Sequence, residues 1–207
     1  LGIPHFQAPS EAEAQAAHMV QRGDVWAADS RDFDSLLFGA PRLVRYLGIS
    51  GKEFLPSKGI ARPLRPELVE MSTLLHRQGI TREQLVDLAI LLGTDFNVGL
   101  KGIGPKGGLG LIRTHGCLEK LPKDVGSRLP LNYEEIRGIF LKPCVTDEYA
   151  TRFAEPDRKG VLQFLCGERG FSERRVRTVL ARMGEAQERR LQGDLERWMH
   201  SGLAPGV

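Results

Sequence analysis

The chain has 207 residues, 41% hydrophobic and 27% charged, which is enough for one sizeable domain or a domain with a helical annex and is the composition of a soluble globular protein. No apolar run approaches a membrane span, the longest ("LVDLAILLG") being broken by Asp87, and the first residues lack the basic flank and apolar core of a signal peptide. The formal net charge of +3 conceals an asymmetry: residues 1–38 hold six acids against two bases, and residues 99–128 six bases against two acids, which suits either a metal centre acting on a polyanion or an ordinary solvated surface.

In chain order, "IPHFQA" is short, apolar and closed by a proline, so it is expected as a strand. "SEAEAQAAHMVQRG" has helix composition with a Ser start and a Gly stop, and "DVWAAD" reads as a second buried strand. Strand, helix and strand over about thirty residues make a βαβ unit with parallel strands. "SLLFGAPRLVRYLGISG" continues with a helical turn and a further strand, and the Pro-rich "KEFLPSKGIARPLRPE" with loops or short edge strands. "RPELVEMSTLLHRQG" and "TREQLVDLAILLG" then read as helices stopped by Gly, the second opened by a Thr81–Gln84 capping box. Three more helices are expected in "NYEEIRGIFLKP", "RKGVLQFLCGERG" and "SERRVRTVLARMGEAQERRLQ", before a loose tail.

Cys117, Cys144 and Cys166 are odd in number and form no CxxC pair, and the histidines are scattered. A disulfide framework or zinc site is therefore disfavoured, and a reducing, cytoplasmic setting is expected. Any metal has to be held by carboxylates, which points to hard cations such as Mg²⁺ or Mn²⁺. Three segments supply acids. Ser10 and Glu13 are spaced as a capping box, so Glu13 reads equally as a helix cap, whereas Glu11 has only the general preference of helix N-termini for acids. Asp32 and Asp34 stand two apart after the second strand, and on an extended backbone both side chains would share a side; the alternative is a polar loop. Asp95 follows a strongly apolar helix and Gly93, a position that also suits a turn former.

"LKGIGPKGGLGLIRTHG" reads as the turn of a helix–hairpin–helix element. Lys101, Gly102, Ile103, Gly104 and Lys106 would bring backbone amides and positive charge to a DNA phosphate. A purely structural turn is the alternative; the G-x-x-x-x-G-K-[ST] phosphate loop is absent. Gly107, Gly108 and Gly110 each cost about 1 kcal/mol relative to Ala, so the following helix is expected to need DNA to order fully. Near the end, "QGDLERWM" places Gln192, Leu195, Trp198 and Met199 as a short helical anchor for a partner's pocket, unless Trp198 folds back on the domain.

Together, "QAPSEAEAQAA", "DSRDFDSLLFGAPRLVR", "LLGTDFNVGLKGIGPK", "FLKPCVTD" and "FLCGERGFSERRV" resemble the flap endonuclease family of XPG-type 5′ nucleases in order and spacing, with an archaeal-like compactness. The resemblance implies an α/β, PIN-like parallel-sheet nuclease core over residues 1–95. It further implies a helix–hairpin–helix DNA-binding region over 96–184 and a tail, 185–207, carrying a sliding-clamp (PCNA) motif, with Met199 where a second aromatic is usual. It implies that Glu11, Glu13, Asp32, Asp34 and Asp95 help hold two Mg²⁺ or Mn²⁺ ions for phosphodiester hydrolysis at a 5′ flap or nicked duplex in DNA replication and repair. A K⁺ ion at the hairpin carbonyls is implied as well. The family's N-terminal half, with two further metal-site aspartates and the arch that admits the flap, has no counterpart in these residues. The chain therefore reads as a C-terminal half whose missing partner is the rest of the enzyme. Alone, it is expected to act as a non-catalytic DNA- and clamp-binding module; a D-x-D phosphohydrolase would leave hairpin and tail unexplained.

Overall fold

The computed structural model describes residues 1–48, 51–55 and 59–190. They form two compact units, Phe6–Tyr149 and, separately, Leu1–His5 with the segment from Ala150 onward. The expected division after residue 95 is not where the packing separates: Asp95 and the helices that follow it share one unit.

The main unit begins with α1 (Ala12–Arg22), which buries Ala14, Gln15, Ala17, Met19 and Val20 and is closed by Gly23 in the left-handed conformation. β1 (Ala28–Asp29), α2 (Asp34–Leu37) and β2 (Arg42–Arg45) follow, and β1 pairs parallel to β2 with Ala28 opposite Leu43 and Asp29 opposite Val44. The parallel crossover thus lies one element later than expected. "IPHFQA" is not a strand: Gly2 accepts one hydrogen bond from Ala154 within the second unit, at 2.9 Å, and no ladder forms around it among the described residues. β3 (Lys52–Leu55) and β4 (Ile60–Pro63) make an antiparallel pair, as short edge strands should.

A second correction concerns "RPELVEMSTLLHRQG". Its first part is β5 (Glu67–Glu70), antiparallel to β2, and only Met71–Gln78 is helical, α3. The register places Arg42 opposite Glu70 and Arg45 opposite Glu67, and such cross-strand charge pairs override helix propensity. The sheet order β1-β2-β5 is therefore mixed rather than purely parallel.

α4 (Arg82–Leu92) has the Thr81–Gln84 capping box in both directions. It leads into a tight hairpin, β6 (Gly93–Thr94) and β7 (Asn97–Val98), and then into α5 (Pro105–His115). α5 is helical along its whole length despite its glycines, because Gly108 lies against α4, where an added Cβ would stand 2.9 Å from a Leu88 methyl. α6 (Lys123–Gly126) and α7 (Tyr133–Leu141) complete the unit. Leu36, Leu43, Ile90, Leu91, Ile112, Leu118, Ile136 and Phe140 form its fully buried centre. Asp87 is buried among them because Arg137 of α7 grips its carboxylate at 2.7 and 3.1 Å while the Leu118 amide donates to it. In the second unit α8 (Arg158–Leu162), a π-helical turn (Gln163–Glu168) and α9 (Glu173–Arg190) pack together, with Val176 and Leu180 of α9 buried one turn apart. No helix among the described residues is long and apolar enough to cross a membrane.

Candidate metal centre and nucleic-acid interface

Glu11 and Glu13 stand at the start of α1, but not as a capping box. The N-cap is Glu11, without a side-chain cap hydrogen bond, so Ser10 lies one residue too early and Glu13 falls at the second helical position. The Glu13 carboxylate instead accepts a short hydrogen bond from the Ser30 hydroxyl, at the C-terminal end of β1. Ser30 is held in turn: its amide donates to Val44 of β2 at 3.2 Å, and its hydroxyl accepts from the Asp32 amide at 3.1 Å. The same hydroxyl thus links Glu13 to the D-x-D loop. That loop is curled rather than extended, with Phe33 as N-cap and Asp34 as the first residue of α2.

Asp95 occupies the tip of the β6–β7 hairpin. At its base Gly93 (φ +108°) and Gly99 cross so closely that a Cβ on Gly99 would stand 2.0 Å from the Leu92 carbonyl oxygen. Thr94 and Asn97 lock the tip, the Thr94 hydroxyl donating to Asn97 Oδ1 at 2.8 Å and accepting from the Phe96 amide at 3.1 Å. Phe96, beside Asp95, packs edge-on against Phe140 of α7, and Phe140 packs on Phe38 just after α2. One aromatic cluster therefore ties the hairpin tip to α2.

The electrostatics report how these acids meet. Burial raises the Glu13 carboxyl above its ordinary value, the Ser30 hydrogen bond opposes this, and the charges of Asp34, Asp32 and Asp95 raise it further. Asp34 is raised by burial, then by Asp95, Asp32 and Glu11. All five sequence-predicted acids thus share one field, though no three of the described His, Cys, Asp and Glu side chains converge on a common cation position. Half-buried carboxylates that hinder one another's ionisation fit a hard divalent cation in their donor chemistry.

Behind the acids, a strap from Pro143 to Tyr149 fixes α1. The buried Gln15 side chain donates to the Thr146 carbonyl and accepts from its amide, both at 2.8 Å. Asp147 meets His18 and Arg22 at 2.8 and 2.9 Å, and the Tyr149 hydroxyl donates to Asp24 at 2.5 Å. A groove of about 270 Å³, lined by Glu11, Ala14, Phe38, Ile139, Lys142 and Cys144 among others, opens beside the first acid.

The hairpin before α5 exposes Lys101, Gly102, Gly104 and Lys106, while Ile103 is half-buried in the core. Gly102 takes φ +85°, Gly104 is the N-cap, and Cβ atoms at Gly102, Gly104 and Gly107 would meet nothing within 4 Å. The backbone there is open to close approach, and Pro105 opens α5 at its first helical position, a helix N-terminus being suited to an anion. The Lys101 carbonyl accepts a short hydrogen bond from Arg128. Gln192, Leu195, Trp198 and Met199 lie outside the described residues.

The XPG I-region family pattern matches residues 2–95. Flap endonuclease 1 of Methanothrix thermoacetophila is 50% identical over 199 residues, covering 96% of this chain and 59% of that protein. The chain is thus similar in sequence to flap endonucleases over part of their length. It spans about three fifths of the curated flap endonucleases it matches. The structure of flap endonuclease-1 from Methanococcus jannaschii superposes with a TM-score of 0.74 at 41% identity, over 87% of this chain and 52% of that one. Human GEN1, solved in complex with Holliday junction DNA, superposes with a TM-score of 0.68 at 25% identity, over 92% of this chain and 51% of that one. The α/β scaffold is thus that of the flap endonuclease nuclease cores.

Sequence reasoning missed Ser30, Arg45 and the Phe38–Phe96–Phe140 cluster. Each acts through partners distant in sequence, and only the position of Ser30 directly after a strand and before D-x-D offered a signal.

Proposed function

We propose that this chain carries an acidic cation-binding face and a duplex-holding hairpin of a structure-specific 5′ flap endonuclease, hydrolysing DNA phosphodiesters at flap or nicked junctions in replication and repair. The observation that carries this reading is the shared field of Glu11, Glu13, Asp32, Asp34 and Asp95, drawn from three separate segments of a flap endonuclease homologue. Those carboxylates would hold Mg²⁺, or Mn²⁺, whose charge when bound favours ionisation of an attacking water and stabilises a leaving oxygen. The chain's own residues orient the acids: Ser30 aims Glu13, the Phe96–Phe140 contact sets Asp95, and Gln15 anchors the helix bearing Glu11 and Glu13. The exposed hairpin Lys101–Lys106 would bind the phosphate backbone of the duplex without reading sequence, with K⁺ at hairpin carbonyls.

In a protein completed to the length of its relatives, Asp34→Asn or Asp95→Ala should lower flap cleavage by at least about a hundredfold while duplex affinity, measured with Ca²⁺, changes less than threefold. Retained cleavage rejects the site.

The exposed hairpin, built without help from the acids, also favours a second reading: the 207-residue chain alone as a DNA- and clamp-binding module without nuclease activity. Turnover of a flap substrate by this chain, abolished in Asp34→Asn, decides against it. The clamp contact is tested by Trp198→Ala, which should weaken binding to a PCNA-type sliding clamp by at least about tenfold, the cost of removing an aromatic anchor.

A further inference from the structure

We propose that Arg45 is a positioning residue, a clasp that sets the loop bearing Asp32 and Asp34 and so tunes divalent-cation affinity; this rests on reading those aspartates as cation ligands. Arg45 ends β2, beside the strand that leads into the loop, and its side chain is 14% exposed. Its Nε donates to the Arg31 carbonyl at 2.9 Å, and its guanidinium lies 4.2 Å from the centre of the Phe33 ring. One planar group thus grips the residues on both sides of Asp32. From the other direction, Nη2 donates to the Tyr46 hydroxyl at 2.7 Å and Nη1 meets Glu67 of β5 at 3.3 Å.

Tyr46 strengthens the inference by its backbone. It is the one non-glycine residue with positive φ among those described, at +62°, and it is 4% exposed. In a continuing strand, consecutive side chains point to opposite faces. The left-handed turn at Tyr46 brings its ring to 4.6 Å from the Arg45 guanidinium and its hydroxyl within reach of Nη2. A conformation disfavoured for a ring-bearing residue is thus kept at the place where it buttresses the loop. The planar fork matters more than the charge, because an ammonium in its place has no plane to lay on Phe33 and no fixed fork to span the other partners.

The test uses the 207-residue chain and the variants Arg45→Gln, Arg45→Lys and Asp34→Asn. Amide hydrogen exchange is followed at residues 30–36, with 82–92 as internal reference, and Mn²⁺ binding by the loss of free-ion spin resonance. Both Arg45 variants should speed exchange at 30–36 by at least about tenfold and raise the Mn²⁺ Kd by about tenfold, the scale of a lost supporting contact behind a metal ligand. Exchange at 82–92 should stay unchanged, and saturating Mn²⁺ should slow the loop again. Asp34→Asn should lose Mn²⁺ binding outright. If Arg45→Lys matches the wild type in exchange and Mn²⁺ affinity, charge and not the clasp is what matters and the inference fails. It fails too if 82–92 loosens equally, since Arg45 then serves only general stability. If Asp34→Asn binds Mn²⁺ as the wild type does, the ligand reading falls and this inference with it.

Discussion

The Glu13 carboxyl feels three aspartates and one hydroxyl, and only the hydroxyl of Ser30 favours its ionised form. Ser30→Ala should therefore push the Glu13 carboxyl further above its ordinary value and weaken Mn²⁺ binding by about tenfold, read by titration calorimetry of the chain. Ser10→Ala should change stability by no more than a few tenths of a kcal/mol in a urea melt, because no cap bond is lost; a loss of about 1 kcal/mol would restore the capping role. As candidates, Glu11, Glu13, Asp32 and Asp34 stood out in the sequence by their E-x-E and D-x-D spacing, and Asp95 only by its place after an apolar helix and Gly93. What was not legible was their support. Ser30, Arg45 and Phe140 reach partners 14 to 44 residues away by routes that only the fold creates, and a capping-box pattern one residue out of register is indistinguishable in sequence from a real one.

Elements with local signals were read well. The capping box and glycine stop of α4, the glycine stop of α1 and the edge strands β3 and β4 follow from short-range chemistry. β5 failed because its strand state depends on pairing with β2 across the chain, and "IPHFQA" failed because apolar character alone does not supply a ladder partner. The glycines of α5 now separate into kinds. Gly108 is needed for contact with Leu88, whereas Gly107 and Gly110 face open space. Gly110→Ala should stabilise the chain by up to about 1 kcal/mol in denaturant melts. Gly107→Ala should stabilise it equally, yet weaken duplex binding by about threefold to tenfold if the DNA backbone approaches this turn. Lys106→Ala should weaken binding uniformly across sequences and lower the salt slope of log Kd by about 1. Unchanged affinity in both variants would remove the hairpin from the interface.

Among the described residues, raised and lowered acids oppose each other in pH. Glu13 and Asp34 are raised in the folded state, so their site favours folding most at low pH and loses that contribution as pH rises through the raised values. Glu119, paired with Arg137, is lowered from 4.5 to about 2; its contribution is present above the ordinary value and lost as pH falls toward 2. Adding Mg²⁺ should relieve the first group where it is ionised. At pH 7.5 and a hundred times Kd, thermal melts should gain about 2.7 kcal/mol, or roughly 5–10 °C, with little gain at pH 4. Asp34→Asn should abolish that gain. A Mg²⁺ response equal at both pH values would separate it from these carboxylates.

The Gln15–Thr146 bonds join residues 131 positions apart. During synthesis, the helix bearing Glu11 and Glu13 leaves the ribosome long before the residue that anchors it. A chain halted before Thr146 carries all five acids and the hairpin, yet lacks the two bonds that fix the first pair. Assembly of the acidic face therefore waits on the order of translation, and its geometry marks that the main unit has been made to its end.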